Sequence, residues 1–360
     1  MSSQVTDTAP SEASAAQLSE HSSPLLRRLR TALSFRNISA FYILAGLLIV
    51  FSFWIPDTFW TSATLRTLLD SQAIVALAAV GLVIPLSAGV FNLAVGYQVG
   101  LAGIVAGWLL MDHDAPVLVA VVLAIASGLV VGLISGVLVV KARINSFIAT
   151  LGMSSLVAAT ITAISGGHQI LNLPTGFSDF GEGTVGPVTY SVIVMVLVSL
   201  IVWYFLERTP VGRRIYATGG NLEAARLAGV RTSTIIVGSL MAGGAIAALA
   251  GVILTSRIAN ADPTVGPSYL LPAFTAAFLG STQFKGGRFN VWGTVVAVYV
   301  LAVGVKGLQL GGAPVWIPDA FNGASLLLAV GMAAYASPGK VRRRDKLKLR
   351  SRRSRATSEN

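Results

Sequence analysis

Ala115-Pro-Val-Leu-Val-Ala-Val-Val-Leu-Ala-Ile-Ala-Ser-Gly128-Leu-Val-Val-Gly132-Leu-Ile-Ser-Gly136-Val-Leu-Val-Val140 runs through residues 115–140 without a single charged side chain. An α-helix rises ~1.5 Å per residue, so ~20 apolar residues are needed to cross ~30 Å of hydrocarbon. This run is long enough. In water it would leave a wholly apolar helix bare, so its place is a bilayer.

The rest of the chain follows the same pattern. Of 360 residues 54% are hydrophobic and 11% charged, and the mean hydropathy is +0.74. A soluble domain carries roughly 25% charged residues. Nine further runs meet or approach spanning length, at about 40–54, 70–89, 93–111, 146–165, 188–206, 235–254, 269–280, 291–310 and 320–336. The expected fold is therefore an all-α polytopic membrane protein of about ten transmembrane helices. The run 269–280 is too short to cross alone and carries Pro272, which predicts a short, broken or re-entrant helix. Residues 1–36 read as a disordered tail ending in a basic flank. Residues 37–338 read as the membrane domain, and residues 339–360 as a basic tail. The basic flank before the first apolar run resembles a signal peptide, but Trp54-Ile55-Pro56-Asp57 follows instead of a small-residue cleavage site, so a retained first span is expected.

The formal net charge of +11 is topological. With the N-terminus cytoplasmic and ten crossings, all of the 26 basic residues except Arg66, Arg257 and Lys306 fall on the inner side, including the tail from Lys340 to Arg355. Asp112, Asp114, Asp179, Glu182, Asp262 and Asp319 fall outside. That is the positive-inside pattern with both termini cytoplasmic, and it removes the case for nucleic acid. Gly128, Gly132 and Gly136 form one stripe on a span, as do Gly100, Gly103 and Gly107, and both predict close helix packing.

Several chemistries are missing from the sequence. There is no cysteine, no P-loop pattern, and no helically spaced pair among His21, His113 and His168. Asp70, at a span edge, is the only carboxylate in any span, which disfavours an ion-driven secondary carrier. The chain is not expected to be an enzyme, to hold a metal or to bind a cofactor of its own.

The longest inner loop, 207–234, contains a small helix in miniature. Asn221 is a good N-cap, Glu223 lies in the first turn, Leu222 to Ala228 are helix formers and Gly229 is placed as the C′ residue. A rod of ~10 Å is unstable alone, so it needs a surface to rest on: its own domain, the bilayer or a partner.

Arg213-Arg214-Ile215-Tyr216-Ala217-Thr218-Gly219-Gly220-Asn221-Leu222-Glu223-Ala224-Ala225-Arg226-Leu227-Ala228-Gly229-Val230 resembles the coupling loop of ABC-importer permeases of the ribose/xylose/galactose type. The run Ser146 to Met153, the stretch from Ala245 through Arg257 to Gly266, and Gly280 with Gly286-Gly287-Arg288 resemble further motifs of that family in order and spacing. The resemblance covers about residues 65–335. It implies a monosaccharide or related polar solute, and two copies (or one with a close paralogue) in a bacterial cytoplasmic membrane. A separate ATPase that uses ATP and magnesium would lie beneath, and an extracytoplasmic solute-binding protein above. It also implies that Gly219, Gly220, Asn221, Glu223, Ala224, Ala225, Arg226 and Gly229 engage the ATPase. The sequence departs from the family pattern at Asn92, where Asp is usual, and at Leu270 and Pro272, where acidic residues are usual. It departs again at Val305 and Lys306, where an Asn pair is usual. Asn92, Gln98, Lys306 and Gln309 are the candidate substrate-pathway residues. Lys306 is a formal charge well inside a span, with Gln309 one helical turn on; it either faces a pathway or snorkels to the interface. A passive channel or facilitator and a secondary carrier are the competing readings.

Overall fold

A computed structural model describes residues 35–283 and 287–335. The tail before residue 35, Lys285 and the basic tail after residue 335 lie outside the described residues, and with them much of the charge that orients the chain.

All ten apolar runs are helical. They form α1 (Phe35–Trp54), α3 (Ser62–Ser87), α4 (Val95–Met111), α5 (Val117–Lys141), α6 (Ser146–Ser165), α8 (Tyr190–Arg208), α11 (Thr232–Ile258), α12 (Pro267–Gln283), α13 (Val291–Leu310) and α14 (Ile317–Tyr335). Between them lie the short helices α2 (Pro56–Phe59), α7 (Thr175–Glu182), α9 (Pro210–Gly220) and α10 (Leu222–Leu227). A hairpin of β1 (Thr184–Val185) and β2 (Val188–Thr189) pairs Thr184 with Thr189. Among the described residues six helices are long and apolar enough to cross a membrane: α3, α5, α6, α8, α11 and α13. The apolar parts of α1, α4 and α14 are shorter. The expected break at Pro272 does not appear. α12 runs continuously across it for 17 residues, ~25 Å by its rise, so it is short but unbroken.

The helix ends follow from local chemistry. Thr61 accepts the Thr64 amide at 3.1 Å at the start of α3, Asn145 accepts the Phe147 amide at 2.9 Å at α6, and Asn290 accepts the Gly293 amide at 2.7 Å at α13. Asp70 of α3 accepts a hydrogen bond from Thr189 of the hairpin.

α11 is the hub, packed chiefly on α5 and also on α3 and α4. Glycine makes this possible. A Cβ at Gly132 would stand 2.8 Å from the Leu240 carbonyl carbon and the Met241 Cα, and one at Gly136 would stand 2.8 Å from the Val237 Cα. At Gly107 it would meet the Ala261 Cβ at 2.9 Å. The Gly128–Gly132–Gly136 stripe is therefore a helix contact, as expected, whereas Gly107 packs on Ala261, beyond the end of α11. Around this core the outer faces of α5 and α8 leave Leu118, Val122, Leu197, Ile201 and Phe205 bare, a surface that suits hydrocarbon and not water.

Candidate functional site

Two regions at opposite ends of the bundle carry polar chemistry, and α3 and α13 reach both.

At one end lie α9 and α10. Thr209 caps α9 by accepting the Gly212 amide at 3.3 Å, with Pro210 in the first turn. Asn221 then ends α9 and begins α10, its Oδ1 accepting the Ala224 amide at 3.0 Å. α10 closes with both hydrogen bonds of a Schellman motif. The Gly229 amide donates to the Arg226 carbonyl and the Val230 amide to the Ala225 carbonyl, each at 3.0 Å, with Gly229 at φ +82°. The N-cap, helix and C′ glycine inferred from sequence are thus all present, although the helix is one residue shorter.

This unit is clamped to the bundle at two places. The Gly219 Cα lies where a Cβ on Gly89 would meet it at 3.1 Å, so the C-terminal turn of α9 sits directly on the turn that ends α3. The Tyr216 hydroxyl donates to the Phe289 carbonyl at 2.9 Å, and the Arg288 guanidinium lies 4.1 Å above the Tyr216 ring, just before α13. Burial, with the nearby Glu207 carboxylate, pushes the Tyr216 pKa above its usual value, so the hydroxyl remains a donor throughout the physiological range.

The faces of α10 differ from the sequence expectation in one respect. Ala225 is 5% exposed, turned into the protein, whereas Leu227 is 88% exposed and Leu222 48% exposed. Glu223, Ala224, Arg226 and Gly229 are also exposed. Ala225 therefore supports α10 from within, and Leu222 and Leu227, absent from the candidate list, form its bare apolar face. An apolar side chain among helix formers carries no mark of which way it points until α9 and α11 fix the roll of the helix.

The four candidate pathway residues separate into two pairs. Asn92 and Gln98 are almost wholly buried. Asn92 donates to the Gln98 Oε1 at 2.9 Å and accepts the Ala94 amide, while Gln98 donates to the Gly128 carbonyl at 3.2 Å. They form a clasp between the start of α4 and α5, with their hydrogen bonds spent inside the protein.

Lys306 and Gln309, by contrast, line a cavity of about 230 Å³ at the end of the bundle away from α10. Its other polar walls are Thr67, Ser71 and Gln72 of α3 and Asn322 of α14; Pro272 and Val305 also line it. Three of the positions that depart from the resembled pattern, Pro272, Val305 and Lys306, thus come together. Gln72 and Asn322 were missed. A polar side chain in an apolar span is a visible signal, but which spans adjoin is not. At the same end of the bundle, Gln169 and Thr264 hydrogen-bond Asp262. Partial burial opposes ionisation there, and these bonds outweigh it, leaving the carboxyl below its usual pKa.

Against known proteins, residues 64–330 match the family described as branched-chain amino acid transport system / permease component. The chain is 35% identical to the ribose import permease protein RbsC of Escherichia coli K12 over 285 residues, 77% of this chain and 87% of that one. It is 34% identical to the ribose import permease protein RbsC of Bacillus subtilis over 297 residues, 82% and 92% of the two chains. It is also 33% identical to the fructose import permease protein FrcC of Rhizobium meliloti over 326 residues, 86% and 88%. No solved structure matches.

Proposed function

The chain belongs to the family of branched-chain amino acid transport system permease components, and on that premise we propose that it is the membrane-spanning subunit of an ATP-driven importer for a monosaccharide or similarly small polar solute. In this reading the ten apolar helices cross a bacterial cytoplasmic membrane with both termini and the 207–234 loop inside. Two copies form the pathway, and a separate ATPase, with its ATP and magnesium, docks on the loop. A solute-binding protein delivers the solute from the other side.

One observation carries the reading: the capped helix α10, with Leu222 and Leu227 bare, is seated through Gly219 on the end of the same helix whose far half lines the cavity. Six residues in water do not hold a helix unaided, so its caps and clamps have to keep that apolar face presented. Thr67 to Val75 of α3 lie ~18–30 Å along the helix from Ser87, and Val298 to Gln309 of α13 lie ~10–27 Å from Val291. Both helices therefore run from the docking face to the cavity, α3 with Pro85 in its last turn. A push on α9 and α10 would be carried by α3 and α13 and would rock the cavity walls, which is how hydrolysis on another polypeptide could open a path in this one.

A passive facilitator or a secondary carrier would have no use for this docking face. The discriminating experiment is to purify the tagged chain from its native membrane in mild detergent. Retention of a nucleotide-hydrolysing subunit by the wild-type chain, and its loss on Leu227→Glu, is the expected result. A wild-type chain that retains no ATPase would overturn the reading.

A further inference from the structure

Resting on the importer reading, we propose that the Lys306 cavity selects an anionic solute: a polyhydroxy carboxylate of monosaccharide size, not a neutral sugar. The ammonium of Lys306 has three N–H donors and no acceptor of its own. Among the described residues no carboxylate lines the cavity, and neither an ion pair nor a hydrogen bond engages Lys306. The nearest acidic position on α3, Asp70, is held by Thr189 of the hairpin and does not line the cavity. A cation set well inside a span is unfavourable unless it faces a cavity or an opposite charge. Lys306 lies one turn from the end of α13 and faces the cavity, and among the described residues no carboxylate there completes the pair.

The remaining polar walls describe the rest of the solute. Gln72, Gln309 and Asn322 have side-chain amides with no hydrogen-bond partner among the described residues. Asn322 is only 9% exposed, so its amide is committed to the cavity and not to bulk water. Each amide offers both a donor and an acceptor, the match for a hydroxyl, which is itself both. Thr67 and Ser71 add hydroxyls on the α3 side. One cation flanked by amides and hydroxyls thus complements one carboxylate followed by a run of hydroxyls. The cavity of about 230 Å³ holds the liquid volume of about eight waters, the scale of a monosaccharide.

The test uses the complex purified with its own ATPase and placed in phosphatidylcholine nanodiscs. The readout is the rate at which a small amine-reactive ester acylates Lys306, followed by mass spectrometry. D-gluconate and D-glucitol, which share the polyol chain and differ in the carboxylate, are the probes. Gluconate is expected to protect Lys306 at a concentration at least about tenfold below that of glucitol. Asn322→Leu, which leaves the lysine in place but removes an amide that meets the hydroxyls both probes share, is expected to raise the protecting concentration of both. Equal protection by both probes, or by neither, would overturn the proposal. So would protection by added phosphatidylglycerol without either probe, which would assign the lysine to lipid headgroups. Retention of the ATPase during purification reports on the importer reading separately, so a negative result here would leave that reading standing.

Discussion

Replacing Gly219 by alanine, with Gly220→Ala as its control, probes the joint between α9 and α3. Both glycines belong to the last turn of α9, so alanine changes the intrinsic helix preference by about the same amount at each, and the difference between the variants isolates the contact. A Cβ at Gly219 would lie 2.9 Å from the Gly89 nitrogen and 3.0 Å from the Ala88 carbonyl carbon, whereas at Gly220 nothing lies within 4 Å. The atoms at Gly219 are backbone and cannot swing aside. Overpacking of this kind costs about 1–3 kcal/mol, which lowers the free energy for lifting α9 and α10 off the bundle by the same amount. That range corresponds to about 5–150-fold in the opening equilibrium. Amide hydrogen exchange in nanodiscs reads it directly. Peptides covering 210–230 should exchange about 5–150-fold faster in Gly219→Ala than in Gly220→Ala, with α5 and α11 unchanged. Equal exchange in the two variants would refute the seating of α9 on the end of α3.

Three further outcomes are expected. Asn221→Ala removes the cap of α10 and should destabilise that helix by about 0.5–2 kcal/mol, against only a few tenths for Asn221→Gly, measured as exchange of the 222–230 amides. Gly132→Ala, at the α5–α11 crossing, should lower thermal stability in detergent by about 1–3 kcal/mol, while Gly152→Ala, with nothing within 4 Å of the new Cβ, should not. Because the chain has no cysteine, single cysteines at Asp179 and Arg226, both exposed, permit a clean labelling test of sidedness; an impermeant maleimide on intact cells should label position 179 and spare 226.

Much of the fold was legible because a membrane imposes a simple rule. α6 and α13 begin and end at the residues inferred from hydropathy, where Asn145 and Asn290 cap them. The start of α3 lies eight residues before the inferred one because Arg66 interrupts the apolar pattern, and only the hairpin contact at Thr189 shows how the Asp70 carboxylate is accommodated there. α9 was not read at all, although Thr209 and Pro210 mark its start; the attention drawn by the glycines and Asn221 fell on the second half of the loop. At the sites, Lys306 and Gln309 stood out because charge and amide are rare inside a span. Asn92 and Gln98 carried the same signal and proved to be a clasp, since sequence shows a polar group but not whether a neighbouring helix satisfies it. The inward face of Ala225 and the wall supplied by Asn322 depend on contacts between distant segments, which no local pattern records.

The central claim is that force applied at α10 reaches the cavity through α3 and α13. It is tested most directly by a distance measurement across the cavity end of the bundle. Spin labels are placed on cysteines introduced at Ser62, where α3 begins, and at Val315, which is 95% exposed between α13 and α14. The complex with its ATPase is then compared without nucleotide and with ATP trapped. The account predicts a shift of about 2–5 Å in the label separation on ATP binding, the scale of helix displacements in switching proteins. A separation that stays the same with ATP bound would contradict it.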